Sequence, residues 1–153
     1  MSNQVCAPAL LIRKCSHHDA KEITALMRQL RYPTTVSVME ERLTALENHP
    51  NYRNFVAELD GKIVGTISLK QLKTHEMKQP VTRITALVVD ENHRGKGIGT
   101  TLIQEVEAWG KRKGSQELFL STGDDNHYRP DARPFYERLG FECAGYRLYK
   151  TLK

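Results

Sequence analysis

A chain of 153 residues with 27% charged and 39% hydrophobic side chains suits one globular domain with a single core. Nowhere do eighteen apolar residues follow one another, and the stretch from Met1 to Leu10 has no basic segment followed by an apolar one. These patterns argue against a membrane-spanning or secreted protein and predict a cytoplasmic one with no membrane partner.

The net charge of +5 would suit a nucleic-acid partner, but the basic residues are dispersed. Their densest cluster, Lys111 to Lys113, lies at the end of a predicted helix, where cations complement the helix dipole. We therefore expect no nucleic-acid partner. The three cysteines are scattered, with no C-x-x-C pair and no histidine at metal-binding spacing, so reduced thiols and no metal site are expected at Cys6, Cys15 and Cys143.

The first part of the chain predicts one strand and two helices. Leu10 to Arg13 form the strand, and Ser16 caps a first helix with apolar residues at helical spacing. The capping box Ser37 to Glu40 opens a second helix. The buried stripe of the first helix is expected at Ile23, Leu26, Met27 and Leu30.

The middle of the chain predicts three strands. Asn54 to Leu59 and Lys62 to Leu69 are joined by Asp60-Gly61, a strong hairpin signal. Ile84 to Val89 form an apolar run, as expected for a central strand covered by helices on both faces.

The last part of the chain predicts two helices and three strands. The helix after Gly99 is expected to bury Leu102, Ile103, Val106 and Trp109, and Glu117 to Leu120 return to the sheet. The segment from Asp131 to Glu142 predicts a short helix capped by Asp131 and stopped at Gly140. A final pair of strands is expected at Phe141 to Ala144 and Tyr146 to Lys150.

A glycine-spaced turn connects the apolar strand to the helix that follows it. Gly95, Gly97 and Gly99 allow positive φ and close approach of a ligand, and the first amides of the helix are unpaired. With Arg94 and Lys96 alongside, these amides can bind a pyrophosphate. The spacing matches neither a P-loop nor a dinucleotide fingerprint. An ordinary strand-to-helix turn remains the alternative.

Two segments of the chain resemble one family. Arg94-x-x-Gly97-x-Gly99 after Val89 resembles the acetyl-CoA pyrophosphate loop of the GNAT superfamily of N-acetyltransferases. The segment from Ala132 to Phe141 resembles that family's A-x-x-F-Y-x-x-x-G-F pattern. The resemblance implies an α/β (α+β) GNAT fold, a mixed and mostly antiparallel sheet flanked by about four helices in the order β-α-α-β-β-β-α-β-α-β-β. It implies a single N-acetyltransferase domain over residues 10–153 after an extension of residues 1–9.

The resemblance also implies roles for individual residues. Tyr136 would be the general acid that protonates the CoA sulfur, although a purely structural aromatic is the alternative. The main chain of Leu87, Val88 and Val89 would pair with the pantetheine arm, and one of these amides would face the thioester carbonyl. Other contacts to acetyl-CoA, the cosubstrate, are expected from Arg94, Gly95, Lys96, Gly97, Ile98, Gly99, Thr100 and Asn126.

The chain departs from the family pattern in two places. Many members carry a glutamate on the central strand, where this chain has Thr85 and Ala86, so His75, Glu76 or water could act as the base, unless the first two form only a surface pair. Many members have an asparagine three residues before Ala132. That position is Arg129 here, which leaves open whether Asn126 or Arg129 contacts the pantetheine.

These observations predict an N-acetyltransferase that moves an acetyl group from acetyl-CoA to a primary amine of a small molecule. Arg129-x-Asp131-Ala132 and the tail from Tyr146 to Lys150 are weakly similar to aminoalkylphosphonate acetyltransferases. Two alternatives stay open: acetylation of a protein lysine or N-terminus, and a non-catalytic acetyl-CoA sensor. A homodimer is also left open.

Overall fold

The computed structural model describes residues 9–122 and 132–152. Short 3-10 turns lie at His17–Asp19 and Glu91–His93. The strands and α-helices follow in the order β1 (Leu10–Lys14), α1 (Ala20–Gln29), α2 (Val36–Leu46), β2 (Tyr52–Leu59), β3 (Lys62–Leu72), β4 (Val81–Val89), α3 (Ile98–Arg112), β5 (Glu117–Phe119) and α4 (Ala132–Arg138).

One five-stranded sheet has the strands in sequence order from β1 to β5. The first four strands are antiparallel to their neighbours, whereas β4 and β5 are parallel. β5 runs parallel to β4 because α3 lies between them and brings the chain back to the end of the sheet at which β4 begins. Asp60 and Gly61 both have positive φ, of 51° and 75°, as the predicted two-residue hairpin requires. The mixed, mostly antiparallel sheet is confirmed.

Helices cover both faces of the sheet. On one face, α3 buries Leu102, Val106 and Trp109 against β2, β3 and β4. On the other face, α1 and α2 bury Leu26 and Leu43. β4 contributes to both layers, because Val88 packs towards α1 and α2 while Val89 packs towards α3. The apolar run in β4 thus reflects burial on both faces, as predicted.

Side-chain caps open the 3-10 turn that leads into α1 and open α2, whereas α1 itself has no side-chain cap. Ser16 and Asp19 form a capping box, and Arg13 holds both carboxylate oxygens of Asp19 at 2.9 Å. The predicted start of α2 at Ser37 is wrong. Thr35 has extended backbone and its hydroxyl accepts from the N–H of Val38 at 3.2 Å, so Ser37 lies inside the first turn.

The predicted final pair of strands is not formed. Residues 141–152 adopt no regular secondary structure, and Tyr146, Leu148 and Tyr149 are 98%, 91% and 85% exposed. A strand exists only where its main chain has a partner strand, and among the described residues β5 pairs with β4 and with no later segment. The prediction of strands at Phe141–Ala144 and Tyr146–Lys150 is therefore corrected: neither segment is a strand, and apart from the half-buried Phe141 these residues are exposed.

Among the described residues, no helix has both the length and the apolar character needed to cross a bilayer.

Candidate active site

The N-terminus of α3 forms an open, positively charged cradle. Gly95 and Gly97 have φ of 77° and 81°, and a side chain at either position would project into open space. Gly97 precedes α3 without a side-chain cap, and the first turn carries no acidic residue. The helix dipole and the exposed Lys96 therefore act on the same space, which suits an anionic ligand.

Gly99 has a different role from the two glycines before it. It lies within α3, and the ring of Phe135 comes to 3.1 Å from the place where a Cβ would be. A larger residue would push α4 away from the first turn of α3. The prediction of positive φ and close ligand approach at Gly99 is wrong: Gly99 is helical, and its close neighbour is an aromatic ring of the protein itself.

Arg94 fastens the loop to the strand that precedes it. Its Nε donates to the carbonyl oxygen of Val89 at 3.0 Å, and the side chain is half-buried. This hydrogen bond thus holds the charged guanidinium of Arg94 beside the cradle.

A clamp from α1 holds the end of β4. The Gln29 side chain donates to Asp90 Oδ1 at 2.8 Å and accepts from the N–H of Glu91 at 2.9 Å. His93 Nδ1 lies 2.7 Å from Asp90 Oδ2. Both hydrogen bonds lower the pKa of Asp90, and the one from Gln29 contributes more than the one from His93. Sequence reasoning missed Gln29, which lies 61 residues from Asp90 and carries no local signal.

A gap separates β4 from β5 in front of the cradle. The two strands pair only from Val81 to Arg83 on β4, with Glu117 to Phe119 on β5. Between Ile84 and Val89, the described residues place no strand along this edge of β4. The free edge leads directly to the cradle.

The direction of the main-chain groups along this edge follows from two contacts. The N–H of Asp90 donates to Val64 on β3 at 2.8 Å, whereas the carbonyl of Val89 is reached by Arg94. Because successive residues of a strand point their main-chain groups to opposite edges, Leu87 and Val89 face the gap and Val88 faces β3. The geometry favours Leu87 and Val89 over Val88 as partners for an extended ligand.

Tyr136 lies on α4, half-buried against the core layer under α3. Its ring makes edge contacts with Phe135 and Phe141, at centroid distances of 5.2 and 5.6 Å. Since Phe135 packs on Gly99, the structure brings α4 to the first turn of α3. Both family-like segments thus meet at one place.

The other predicted residues lie elsewhere or are already engaged. Thr85 sits where the β3–β4 register shifts, and its hydroxyl lies 2.9 Å from that of Ser68. His75 and Glu76 have side chains that are 99% and 64% exposed, paired at 3.5 Å, and a hydrogen bond from Thr74 lowers the pKa of Glu76. A carboxylate with a lowered pKa is a weaker base. Asn126, Arg129 and Asp131 lie outside the described residues.

The family model of the acetyltransferase (GNAT) family matches residues 21–141 of the chain. The chain belongs to the GNAT family. It is 37% identical to N-alpha-acetyltransferase 30 of Schizosaccharomyces pombe, over 63% of this chain and 61% of that protein. It is 29% identical to the aminoalkylphosphonate N-acetyltransferase of Salmonella typhimurium, over 95% of this chain and 93% of that protein.

Solved structures support the same fold. A GNAT neighbour, the aminoglycoside N-acetyltransferase AAC(6')-Iy in complex with CoA, superposes with a TM-score of 0.84 at 18% identity, over 98% of this chain and 99% of that one. This likeness concerns the fold alone. The chain spans between 38% and 61% of the length of the curated relatives that match it over about 90 residues.

Proposed function

We propose that this GNAT protein transfers the acetyl group of acetyl-CoA to a primary amine of a small molecule. The observation that carries the proposal is the gap between β4 and β5, which opens onto the uncapped N-terminus of α3 at Gly97. A free strand edge suits an extended, amide-containing arm, and the cradle suits a pyrophosphate. Both are parts of CoA.

The residues that would hold acetyl-CoA fall into two sets. The main chain of Leu87 and Val89 would pair with the pantetheine arm, and one of their N–H groups would stabilise the oxyanion that develops from the thioester carbonyl. The pyrophosphate would lie on the amides that begin α3, beside Arg94 and Lys96. The contact expected from Val88 is left out, because its main-chain groups face β3, and the contact expected from Asn126 remains part of the proposal.

Tyr136 would act as the general acid of the reaction. The amine nitrogen forms a bond to the acetyl carbon, the carbon–sulfur bond breaks, and the thiolate takes a proton from the Tyr136 hydroxyl. A phenol with a reference pKa of about 10 is protonated at neutral pH and would donate to the sulfur as the carbon–sulfur bond breaks. Because a thiol with a pKa of about 8.5 is already a tolerable leaving group, a weak acid suffices. The proton that the amine loses would pass to water, and the Tyr136 phenolate would regain a proton from water.

A small amine is favoured over a protein acceptor because the relative that acetylates a small amine matches a larger share of this chain. The Salmonella typhimurium aminoalkylphosphonate N-acetyltransferase matches 95% of this chain, including the part that follows α3. N-alpha-acetyltransferase 30 is more similar, at 37% identity, but over 63% of the chain. Acetylation of a protein N-terminus is therefore the second candidate.

The proposal is tested by measuring thiol release from acetyl-CoA with aminophosphonates, polyamines, aminoglycosides, amino acids and peptides with free N-termini. We expect release with one class of small amine. Release with peptides alone would replace the small-molecule acceptor by the second candidate. Acetyl-CoA binding without release for any amine would favour a sensor over an enzyme.

The role of Tyr136 is tested by Tyr136→Phe, which removes the acid and keeps the ring. We expect kcat to fall about 100-fold, the range of a general acid, while the KM for acetyl-CoA stays within twofold. Tyr149→Phe is the matched control, because it removes a phenol that is 85% exposed. An unchanged kcat in Tyr136→Phe would refute the acid role and leave Tyr136 as a packing residue.

A further inference from the structure

Arg83 lies at the closed end of the gap between β4 and β5. The two strands pair from Val81 to Arg83, where Arg83 lies beside Phe119, and they separate after that point. At the usual rise of about 3.3 Å per residue, Arg83 lies about 20 Å from Val89 along the strand. The cradle therefore lies at one end of the gap, and Arg83 lies at the other.

The side chain of Arg83 lies on the face of the sheet opposite α3. Its neighbours Thr82 and Ile84 are buried, and Ile84 belongs to the core layer under α3. Because side chains alternate along a strand, Arg83 lies on the face that α1 and α2 pack against. Thr85 and Phe119, which flank Arg83 on that face, are exposed. Among the described residues, the helices thus leave this part of the face open to a second substrate.

Arg83 and Lys70 are two cations without a counter-ion among the described residues. They lie directly opposite each other on β4 and β3, where like charges destabilise a sheet. No ion pair joins either one to a carboxylate in the part of the chain that the structure describes. Within the same residues, the Nε of Arg83 is buried without a hydrogen-bond partner, while the residue as a whole is half-buried. A bound anion would neutralise a charge that water solvates only in part.

Thr85 offers a second polar group on the same face, nearer to the cradle. It lies where the register between β3 and β4 shifts, and its Oγ1 is 2.9 Å from the Oγ of Ser68. Two residues along a strand span about 7 Å, so Thr85 lies about that far from Arg83. A hydroxyl can accept a hydrogen bond from an amine. A short ligand with an anionic group on Arg83 would therefore place an amine beside Thr85, at the edge that the thioester arm would follow.

We propose that the acceptor amine carries an anionic group, a carboxylate, phosphonate or phosphate, and that Arg83 binds this group. A guanidinium has several N–H donors in one plane and matches such groups in geometry as well as in charge. Lys70 would add a second positive charge from β3. The inference rests on the proposed acetyl transfer to a small amine, and it specifies the substrate as a short primary amine with an acid group.

Matched acceptors of similar length test the role of Arg83 by thiol release from acetyl-CoA. β-Alanine and aminoethylphosphonate carry an acid group, whereas propylamine carries none. For the wild type, we expect kcat/KM for one of the acidic amines to exceed that for propylamine about 100-fold, the worth of hydrogen bonds to a charged group. Arg83→Gln should abolish this preference and leave the KM for acetyl-CoA within about twofold. Arg53→Gln is the matched control, because Arg53 is also half-buried but lies on β2, which β3 separates from β4.

The same measurements separate this inference from the proposed function. A wild type that acetylates propylamine as efficiently as the acidic amines, or an Arg83→Gln variant that keeps the preference, would overturn the inference and leave acetyl transfer standing. An equal loss of kcat/KM for all three amines in Arg83→Gln would also overturn it, since Arg83 would then be structural. If the wild type releases thiol with no amine, the proposed function fails, and calorimetry with CoA and the two acidic amines tests Arg83 by itself. Binding that Arg83→Gln loses would support the anion site, and no binding would overturn it.

Discussion

The two edges of the sheet are closed in different ways. At the first edge, all five residues of β1 pair with β2, and Arg13 forms ion pairs with Asp19 in the turn before α1 and with Glu58 on β2. At the other edge, β5 has three paired residues, then diverges from β4 and leaves a groove on its outer side. The first edge completes the core, whereas the second leaves main-chain groups and apolar side chains uncovered by the described residues.

The largest expected effect is at Gly97, in the cradle beside the gap between β4 and β5. Gly97→Leu puts a side chain into the cradle and strains a backbone with φ of 81°. We expect acetyl-CoA affinity, measured by calorimetry, to fall at least 100-fold. Gly61→Leu is the matched control, with φ of 75° and equally open surroundings in the β2–β3 hairpin. Equal loss of affinity in both variants would show that strain, not the cradle, caused the effect.

At the β1 edge of the sheet, a change at Asp19 is expected to lower the free energy of unfolding. Burial alone would raise the pKa of Asp19, but the hydrogen bonds from Arg13 and Ser16 outweigh it and lower the pKa below 3.8. The ionised form is thus favoured by folding. Ionised Asp19 therefore stabilises the folded protein above pH 3.8. This stabilisation disappears as the pH falls through the lower pKa that Asp19 has in the folded state.

Asp19→Asn should therefore lower the free energy of unfolding at pH 7 by about 2 kcal/mol, the worth of hydrogen bonds to a charged group. Urea unfolding from pH 7 to pH 2 should show the difference from wild type shrinking only below pH 3.8. Acetyl-CoA affinity should stay unchanged. A difference that is constant with pH would mean that the carboxylate charge contributes nothing.

The smallest expected effect is at Gln29, which connects α1 to the residues that follow β4. Gln29→Ala removes both hydrogen bonds that hold Asp90 and Glu91, so the loop before the cradle becomes less well positioned. We expect the KM for acetyl-CoA to rise about tenfold, or about 1.4 kcal/mol, with kcat little changed. Gln71→Ala is the control, since Gln71 also bridges two groups, Lys113 and Ser115, outside the cradle. Equal KM values in the two variants would refute a positioning role.

Much of the fold was predictable from local sequence. The apolar run in β4 and the hairpin at Asp60 and Gly61 are confirmed. In the expected stripe of α1, Ile23 and Leu26 are buried, whereas Met27 and Leu30 are half-buried against the same layer. The start of α2 was missed because Thr35 and Ser37 are both good caps, and only the extended backbone at Thr35 distinguishes them. The last two strands were wrongly predicted, because a sequence pattern shows that a segment can pair and does not show that a partner strand is present.

The sequence by itself determined the helices, the first four strands and the glycine loop, because side-chain periodicity and turn residues act on their near neighbours. Tertiary structure alone decided the divergence of β4 from β5, the clamp from Gln29 to Asp90, the contact of Phe135 with Gly99, and the exposed tail. Each of these depends on residues far apart in the chain. Such contacts form only when packed layers bring the residues together, and no local preference encodes them.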